Sequence, residues 1–141
     1  MAFHFDHINI AVVSIERAVE FLKIAFPHFQ IRGGGAGEYN EMKTAWTHLG
    51  TDEEYVSLNE TSVMEATSRN GSQLTGINHA GFVVVDLEKL HGRYEGAGFN
   101  CQYIVESPAR LRMYVTDKDN IQWEFIQYLS DDPTVQNDNS I

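Results

Sequence analysis

The chain has little of what crosslinks a protein, anchors it in a membrane or binds it to polyanions. Cysteine occurs once in 141 residues, at Cys101. A lone thiol excludes an internal disulfide framework and points to a reducing compartment. Basic residues number 10 against 20 acidic, for a net charge of -10. Such a surface repels a nucleic-acid backbone or an anionic membrane, so neither is an expected partner. No apolar run approaches the roughly 20 residues of a membrane span. The opening Met1-Ala2-Phe3-His4-Phe5-Asp6 lacks the basic stretch of a secretory leader. The expected location is the cytoplasm. What is present is an ordinary apolar share of 43%, with 8 Phe, 6 Tyr and 2 Trp. At this length that suffices for one domain with a proper core.

The chain also repeats itself. Asp6-His7-Ile8-Asn9-Ile10-Ala11-Val12-Val13-Ser14-Ile15-Glu16-Arg17 is answered by Asn78-His79-Ala80-Gly81-Phe82-Val83-Val84-Val85-Asp86-Leu87-Glu88-Lys89. His7 falls on His79, Val12 on Val84 and Glu16 on Glu88. Ser14 falls on Asp86, and both can cap a helix start. Each copy reads as a strand running into a capped helix, so the fold is one unit used twice.

Residues 3 to 13 alternate as a strand, with Ile8, Ile10 and Val12 on one face and His7, Asn9 and Ala11 on the other. A helix follows from Ser14, with Ile15, Ala18, Val19, Leu22 and Phe26 at helical spacing, and Pro27 stops it. Residues 29–32 form a short strand, and Gly33-Gly34-Gly35-Ala36-Gly37 is expected to be a flexible loop, a mobile hairpin or lid. Lys43 to Leu49 and Tyr55 to Asn59 are strands. Module one thus spans about residues 3–60 and a polar linker about 61–76. Module two, about 77–129, repeats the pattern. It has a helix from Asp86 to Gly96, a strand from Asn100 to Val105 and another from Leu111 to Thr116. A turn at residues 117–120 leads to the last strand, Ile121 to Leu129. Residues 130–141 form a polar, acidic tail expected to be disordered.

Two histidines at one repeat position, on the non-aliphatic face of each first strand, suggest a shared site. Glu124 sits inside the apolar run Trp123-Glu124-Phe125-Ile126, where a carboxylate is costly unless paired or coordinated. Aligning the closing strands sets Ser57 opposite Glu124. His7, His79 and Glu124 form a two-imidazole, one-carboxylate set that leaves positions open on a divalent metal. The competing reading is a pair of core histidines, with Glu124 a buried partner of Arg110 or Arg112. His48 shares a face with Trp46 near Ser57 and is a candidate general base. Tyr114 is a candidate proton or hydrogen-bond donor, and Arg110 and Arg112 on its face could hold an anionic substrate group. His4, His28 and His91 read as surface or satisfied residues.

The doubled module, opened by Asp6-His7-Ile8 and Asn78-His79-Ala80, resembles the vicinal oxygen chelate superfamily. So does the turn Val115-Thr116-Asp117-Lys118-Asp119-Asn120 leading into Trp123-Glu124-Phe125. That group includes glyoxalase I, extradiol dioxygenases, methylmalonyl-CoA epimerase, fosfomycin-resistance transferases and bleomycin-binding proteins. The resemblance covers about residues 3–129. It implies an α+β fold of two βαβββ modules forming a curved mixed sheet with a central cleft, commonly in a homodimer. It implies metal ligands at His7, His79 and Glu124, with Ser57 departing from the glutamate that glyoxalase I has in the fourth position. Against the extradiol pattern Tyr114, Asp117 and Glu124 match, whereas Lys118 and Asn120 replace a proline and a glycine. Against the fosfomycin enzymes the metal set matches, and Asn9 replaces a threonine.

The expected function is a metal-dependent enzyme acting on a small oxygen-rich substrate. One divalent ion (Fe, Mn, Ni or Zn) would chelate the substrate and stabilise an enediolate or oxyanion. Lyase or isomerase chemistry and ring-opening dioxygenation are the two candidates. Asn9, Ser57, Arg110 and Arg112 are the substrate-binding candidates, and His48 and Tyr114 the catalytic ones. The alternatives are a small-molecule (antibiotic) binding or resistance protein and a fosfomycin-type thiol transferase.

Overall fold

The structure, a computed structural model, describes residues 4–64, 75–107 and 109–138. The chain divides into two compact units, Met1–Glu65 and Ala66–Ile141. The first contains β1 (His7–Val12), α1 (Ile15–Ala25), β2 (Gln30–Tyr39), β3 (Met42–Gly50) and β4 (Tyr55–Glu60). The second contains β5 (His79–Val83), α2 (Leu87–Gly96), β6 (Cys101–Ser107), β7 (Arg110–Thr116), β8 (Gln122–Tyr128) and α3 (Pro133–Gln136). Each unit has one four-stranded mixed sheet, ordered β1-β4-β3-β2 in one and β5-β8-β7-β6 in the other. In both, the first and last strands pair in parallel and the remaining pairs are antiparallel. This is the α+β, two-module fold that the repeat implied.

The helix starts carry the capping expected of them. Ser14 Oγ accepts from the Arg17 amide at 3.3 Å, and Asp86 Oδ1 accepts from the Lys89 amide at 2.9 Å. Each helix start is also tied to the last strand of its own sheet. The Ile15 amide donates to Glu60 Oε2 at 3.2 Å, and the Leu87 amide to Gln127 Oε1 at 2.8 Å. Both contacts satisfy an amide that has no partner within the helix, and a carboxylate there also suits the helix dipole. Glu60 lies three residues after Ser57, and Gln127 three after Glu124, so the matching contacts bring Ser57 and Glu124 into correspondence.

The aliphatic face of each sheet lies under its helix. Val12, Leu22, Leu49 and Leu58 are at most 1% exposed in the first unit, as are Leu87, Leu90, Trp123 and Phe125 in the second. Each such side chain contributes about 1.5–3 kcal/mol on burial. Of the expected positions Ala18, Leu22 and Phe26 are buried and Ile15 and Val19 half-buried; Phe21, not expected, is buried beside them.

Two expectations are corrected. Gly33–Gly37 is not a flexible loop; it does lie in a hairpin, as the middle of the ten-residue β2, paired with β3 from Gln30↔Gly50 to Tyr39↔Met42. The hairpin closes at Asn40 and Glu41, both at positive φ (50° and 63°), the two-residue geometry that matches strand twist. The register of β3 fixes β2 even though its glycines carry no periodic pattern. The tail is the second correction. Pro133–Gln136 is a short helix capped by Asp132, whose Oδ1 accepts from the Thr134 amide at 2.8 Å. The centre of the expected linker, Ser68–Ser72, lies outside the described residues.

Candidate functional site

In the second unit four of the predicted side chains meet. β5 and β8 run parallel with His79 beside Gln122 and Gly81 beside Glu124. Alternation along β5 puts His79 and Gly81 on one face, and β7 adds Tyr114 directly opposite Glu124. Glu124 is 7% exposed. Its Oε1 accepts from the Tyr114 hydroxyl at 2.9 Å and lies 3.6 Å from an Arg112 guanidinium nitrogen. Its Oε2 lies 3.1 Å from His79 Nε2. A Cβ at position 81 would sit 3.4 Å from that same oxygen, so the glycine leaves the carboxylate room on this face. Burial, above all, pushes the Tyr114 hydroxyl above its ordinary range, with the Glu124 charge adding to it. At neutral pH Tyr114 is therefore a donor, not a base.

In the first unit the same sheet positions carry other chemistry. Ser57 stands beside Asn9 on β1 and opposite His48 on β3, as Glu124 stands beside Gly81 and opposite Tyr114. His48 and Tyr114, predicted separately as catalytic, thus occupy one position of the repeat. The Asn9 amide donates to Ser57 Oγ at 3.0 Å and to Asn59 Oδ1 at 2.7 Å. His7 stacks on Tyr55 (ring centroids 4.7 Å apart, planes at 15°), and His48 packs against Tyr55 at 4.5 Å and Trp46 at 4.8 Å. Trp46 in turn lies over Gly35, where an added Cβ would sit 3.1 Å from the indole nitrogen. Arg32 places its guanidinium carbon 4.4 Å from the Tyr55 ring centroid.

Asp6 Oδ2 lies 2.7 Å from His7 Nδ1. The hydrogen bond to His7, aided by one from the Tyr55 hydroxyl, holds the Asp6 carboxyl below the usual carboxylate range. Burial and the Asp6 charge push the Tyr55 hydroxyl up.

Arg110 is turned elsewhere. Its guanidinium donates to the Gln136 carbonyl at 2.9 Å, tying α3 to β7. Asp6, Arg32 and Tyr55 were not singled out by sequence. Tyr55 had a signal: it lies two residues before Ser57, hence on the same strand face and, in a parallel pair, beside His7.

Among the described residues no three His, Cys, Asp or Glu side chains gather around one point. Within the second unit, two donors have a spacing that a divalent ion could bridge. Two neighbouring donors about 2.1 Å from one ion and at right angles are about 3 Å apart, and His79 Nε2 and Glu124 Oε2 are 3.1 Å apart. In the first unit His7 has its Nδ1 engaged by Asp6, which leaves Nε2 as the other ring nitrogen. His79 Nδ1 is buried with no hydrogen-bond partner among the described residues.

Residues 4–125 match the profile of the Glyoxalase/Bleomycin resistance protein/Dioxygenase superfamily, and the chain belongs to that family. Solved structures agree on the fold. A glyoxalase family protein from Bacillus cereus superposes with a TM-score of 0.70 at 16% identity, covering 92% of this chain and 97% of its own. A glyoxylase/bleomycin resistance protein/dioxygenase domain from Frankia sp. gives 0.72 at 17%, covering 91% and 99%. The genomically encoded fosfomycin resistance protein FosX from Listeria monocytogenes gives 0.67 at 14%, covering 96% and 99%; that protein has also been solved with Mn(II) and sulfate. At these identities the likeness establishes the fold and leaves the reaction open. No curated protein matches the chain.

Proposed function

We propose that this chain is a divalent-metal-dependent enzyme acting on a small oxygen-rich substrate, with His7, His79 and Glu124 as the metal ligands. The observation that carries the reading is the pairing of His79 with Glu124, an imidazole and a nearly buried carboxylate converging at 3.1 Å. Family membership supports it, as does the Mn(II) held by the Listeria protein. Such an ion, when bound, supplies a Lewis acid for a substrate oxygen.

The chain's own residues have separable tasks. Tyr114 holds Glu124 by one oxygen and can donate to a substrate oxygen. Arg112 stands beside that carboxylate and can bind an anionic substrate group, the task the sequence also gave Arg110, which instead holds α3. His48, at the Tyr114 position of the first unit, is the proton acceptor. Asn9 and Ser57 form a hydrogen-bonding floor. The fosfomycin-resistance neighbours make small phosphonates the first substrates to try, with thiol addition as one outcome. Catechols with Fe(II) follow, read by oxygen uptake, and 2-oxoaldehyde adducts test lyase or isomerase chemistry. A cytoplasmic homodimer completes the proposal.

Elemental analysis after incubation with Mn, Fe, Ni and Zn salts is the test. One ion per chain is expected, lost in Glu124→Gln and His79→Ala and at least about tenfold weaker in His7→Ala. Wild-type protein that retains no ion overturns the metal reading. A second reading then stands on the partly exposed Trp46, His48 and Tyr55 rings: a sequestering protein for flat ligands. It predicts that ligand binding survives His7→Ala.

A further inference from the structure

We propose that Asp6 and Tyr55 form a positioning clamp that fixes His7 with its proton on Nδ1 and its Nε2 lone pair free for a divalent ion. The inference rests on the metal reading above and assigns tasks to two residues that reading does not use. Its basis is the separation of 2.7 Å between Asp6 Oδ2 and His7 Nδ1. An ionised carboxylate only accepts hydrogen bonds, so Nδ1 carries the proton and, in the neutral ring, Nε2 does not. Carboxylate–imidazole pairs of this kind set the tautomer and orientation of metal-bound histidines.

Tyr55 fixes the rest of the geometry. It stands beside His7 in the parallel β1–β4 pair, and its ring lies almost parallel to the imidazole, 4.7 Å away. Its amide donates to the Asp6 carbonyl at 3.3 Å. One tyrosine therefore holds both the imidazole and the group that orients it. Tyr55 is itself held by His48 at 4.5 Å and by the Arg32 guanidinium at 4.4 Å.

The second unit shows what the clamp adds. Asn78 replaces Asp6 there, and Gln122 stands beside His79 where Tyr55 stands beside His7. His79 Nδ1 has no hydrogen-bond partner among the described residues, and its Nε2 faces Glu124 instead. The repeat thus supports its two histidines through opposite nitrogens, and only the first is set with Nε2 free.

Nitrogen-15 NMR of the histidine side chains in the metal-free full chain reads the tautomer directly, and titration with Mn(II) or Zn(II) reads affinity. His7 is expected to be protonated at Nδ1. Asp6→Ala should move it toward the Nε2-protonated form and weaken metal binding about 10–100-fold. Asp6→Asn, which copies the Asn78 that precedes the unpartnered His79 Nδ1, should lose the tautomer as Asp6→Ala does, whereas Asp6→Glu, which keeps a carboxylate, should rescue it. Tyr55→Phe keeps the stacking, loses the hydroxyl, and should cost less than Asp6→Ala. Circular dichroism confirms that each variant folds.

A wild-type His7 protonated at Nε2 overturns the clamp. So does an Asp6→Ala variant with unchanged tautomer and affinity. A wild-type chain that takes up no ion, while its tautomer still answers to Asp6→Ala, overturns the metal reading and upholds the positioning of the ring.

Discussion

A carboxylate placed like Glu124 has to be satisfied on both oxygens, because an unpaired charge in a buried site is expensive. Tyr114 and Arg112 serve one oxygen and His79 the other, which is how the sequence Trp123-Glu124-Phe125 tolerates an acid between two fully buried aromatic residues. At the same scale Cys101 shows the opposite effect of burial. Its thiol, half-buried and near the Glu95 carboxylate, is pushed up from 9.0 to about 11, with burial the larger cause. Thiolate is then about a hundredfold scarcer at pH 8 than for an ordinary cysteine. The more basic sulfur recovers part of the rate, so iodoacetamide should label native Cys101 about tenfold slower than the urea-unfolded chain. The unfolded thiol loses its proton first, so this group's stabilising contribution is complete below pH 9 and falls as the pH rises toward 11. Equal labelling rates in native and unfolded protein would show that the thiol is not shielded.

The hairpin of β2 and β3 shows why elements were unevenly legible. The helices could be read from their caps and apolar spacing, because Ser14 and Asp86 act within their own turn of chain. The glycine run could not, because its structure is dictated from outside: Gly34, Gly35 and Gly37 pair with Thr47, Trp46 and Thr44. The tail helix was hidden for the same reason, its anchor Arg110 lying 26 residues away. Glycines in one hairpin should then differ in their tolerance. A Cβ at Gly35 meets only the Trp46 ring at 3.1–3.3 Å, whereas at Gly50 it runs into the Glu54 carbonyl and the Tyr55 backbone. Gly35→Ala should change stability by less than about 1 kcal/mol, since alanine suits a strand better than glycine. It should also lift the indole, shifting Trp46 emission in a Trp123→Phe background. Gly50→Ala should cost about 2 kcal/mol or more in urea unfolding, because backbone must move. Equal costs at the two positions would contradict the hairpin geometry.

Over the whole molecule, one topology used twice separates what the repeat preserves from what it lets diverge. The strand order, the parallel first–last pair, the helix caps and the tie from the last strand to the helix start recur in both units. The repeat therefore revealed the fold, and it aligned His7 with His79 and Ser57 with Glu124. It could not reveal Asp6 and Tyr55, because these are positions where the copies differ, Asn78 and Gln122 standing in their place. The same divergence decides what the Ser57 position can become.

Ser57 is 3% exposed. Opposite it stands His48 where Tyr114 faces Glu124, and the residue matching Arg112 is Trp46. Ser57→Glu would therefore place a carboxylate at the repeat equivalent of Glu124 without that residue's tyrosine or arginine. In metal-free protein it should cost about 2 kcal/mol or more, the penalty for burying a poorly paired charge. If the divalent ion of the proposed site binds there, the new oxygen becomes a fourth donor. Metal should then raise the melting temperature of Ser57→Glu by more than it raises that of the wild type, since preferential binding to the folded state adds stability in proportion to log affinity. Melting curves with and without Mn(II), for wild type, Ser57→Glu and Ser57→Gln, separate charge from size. A larger metal-dependent rise confined to the glutamate places Ser57 beside the ion; the same rise in all three removes it from the coordination sphere.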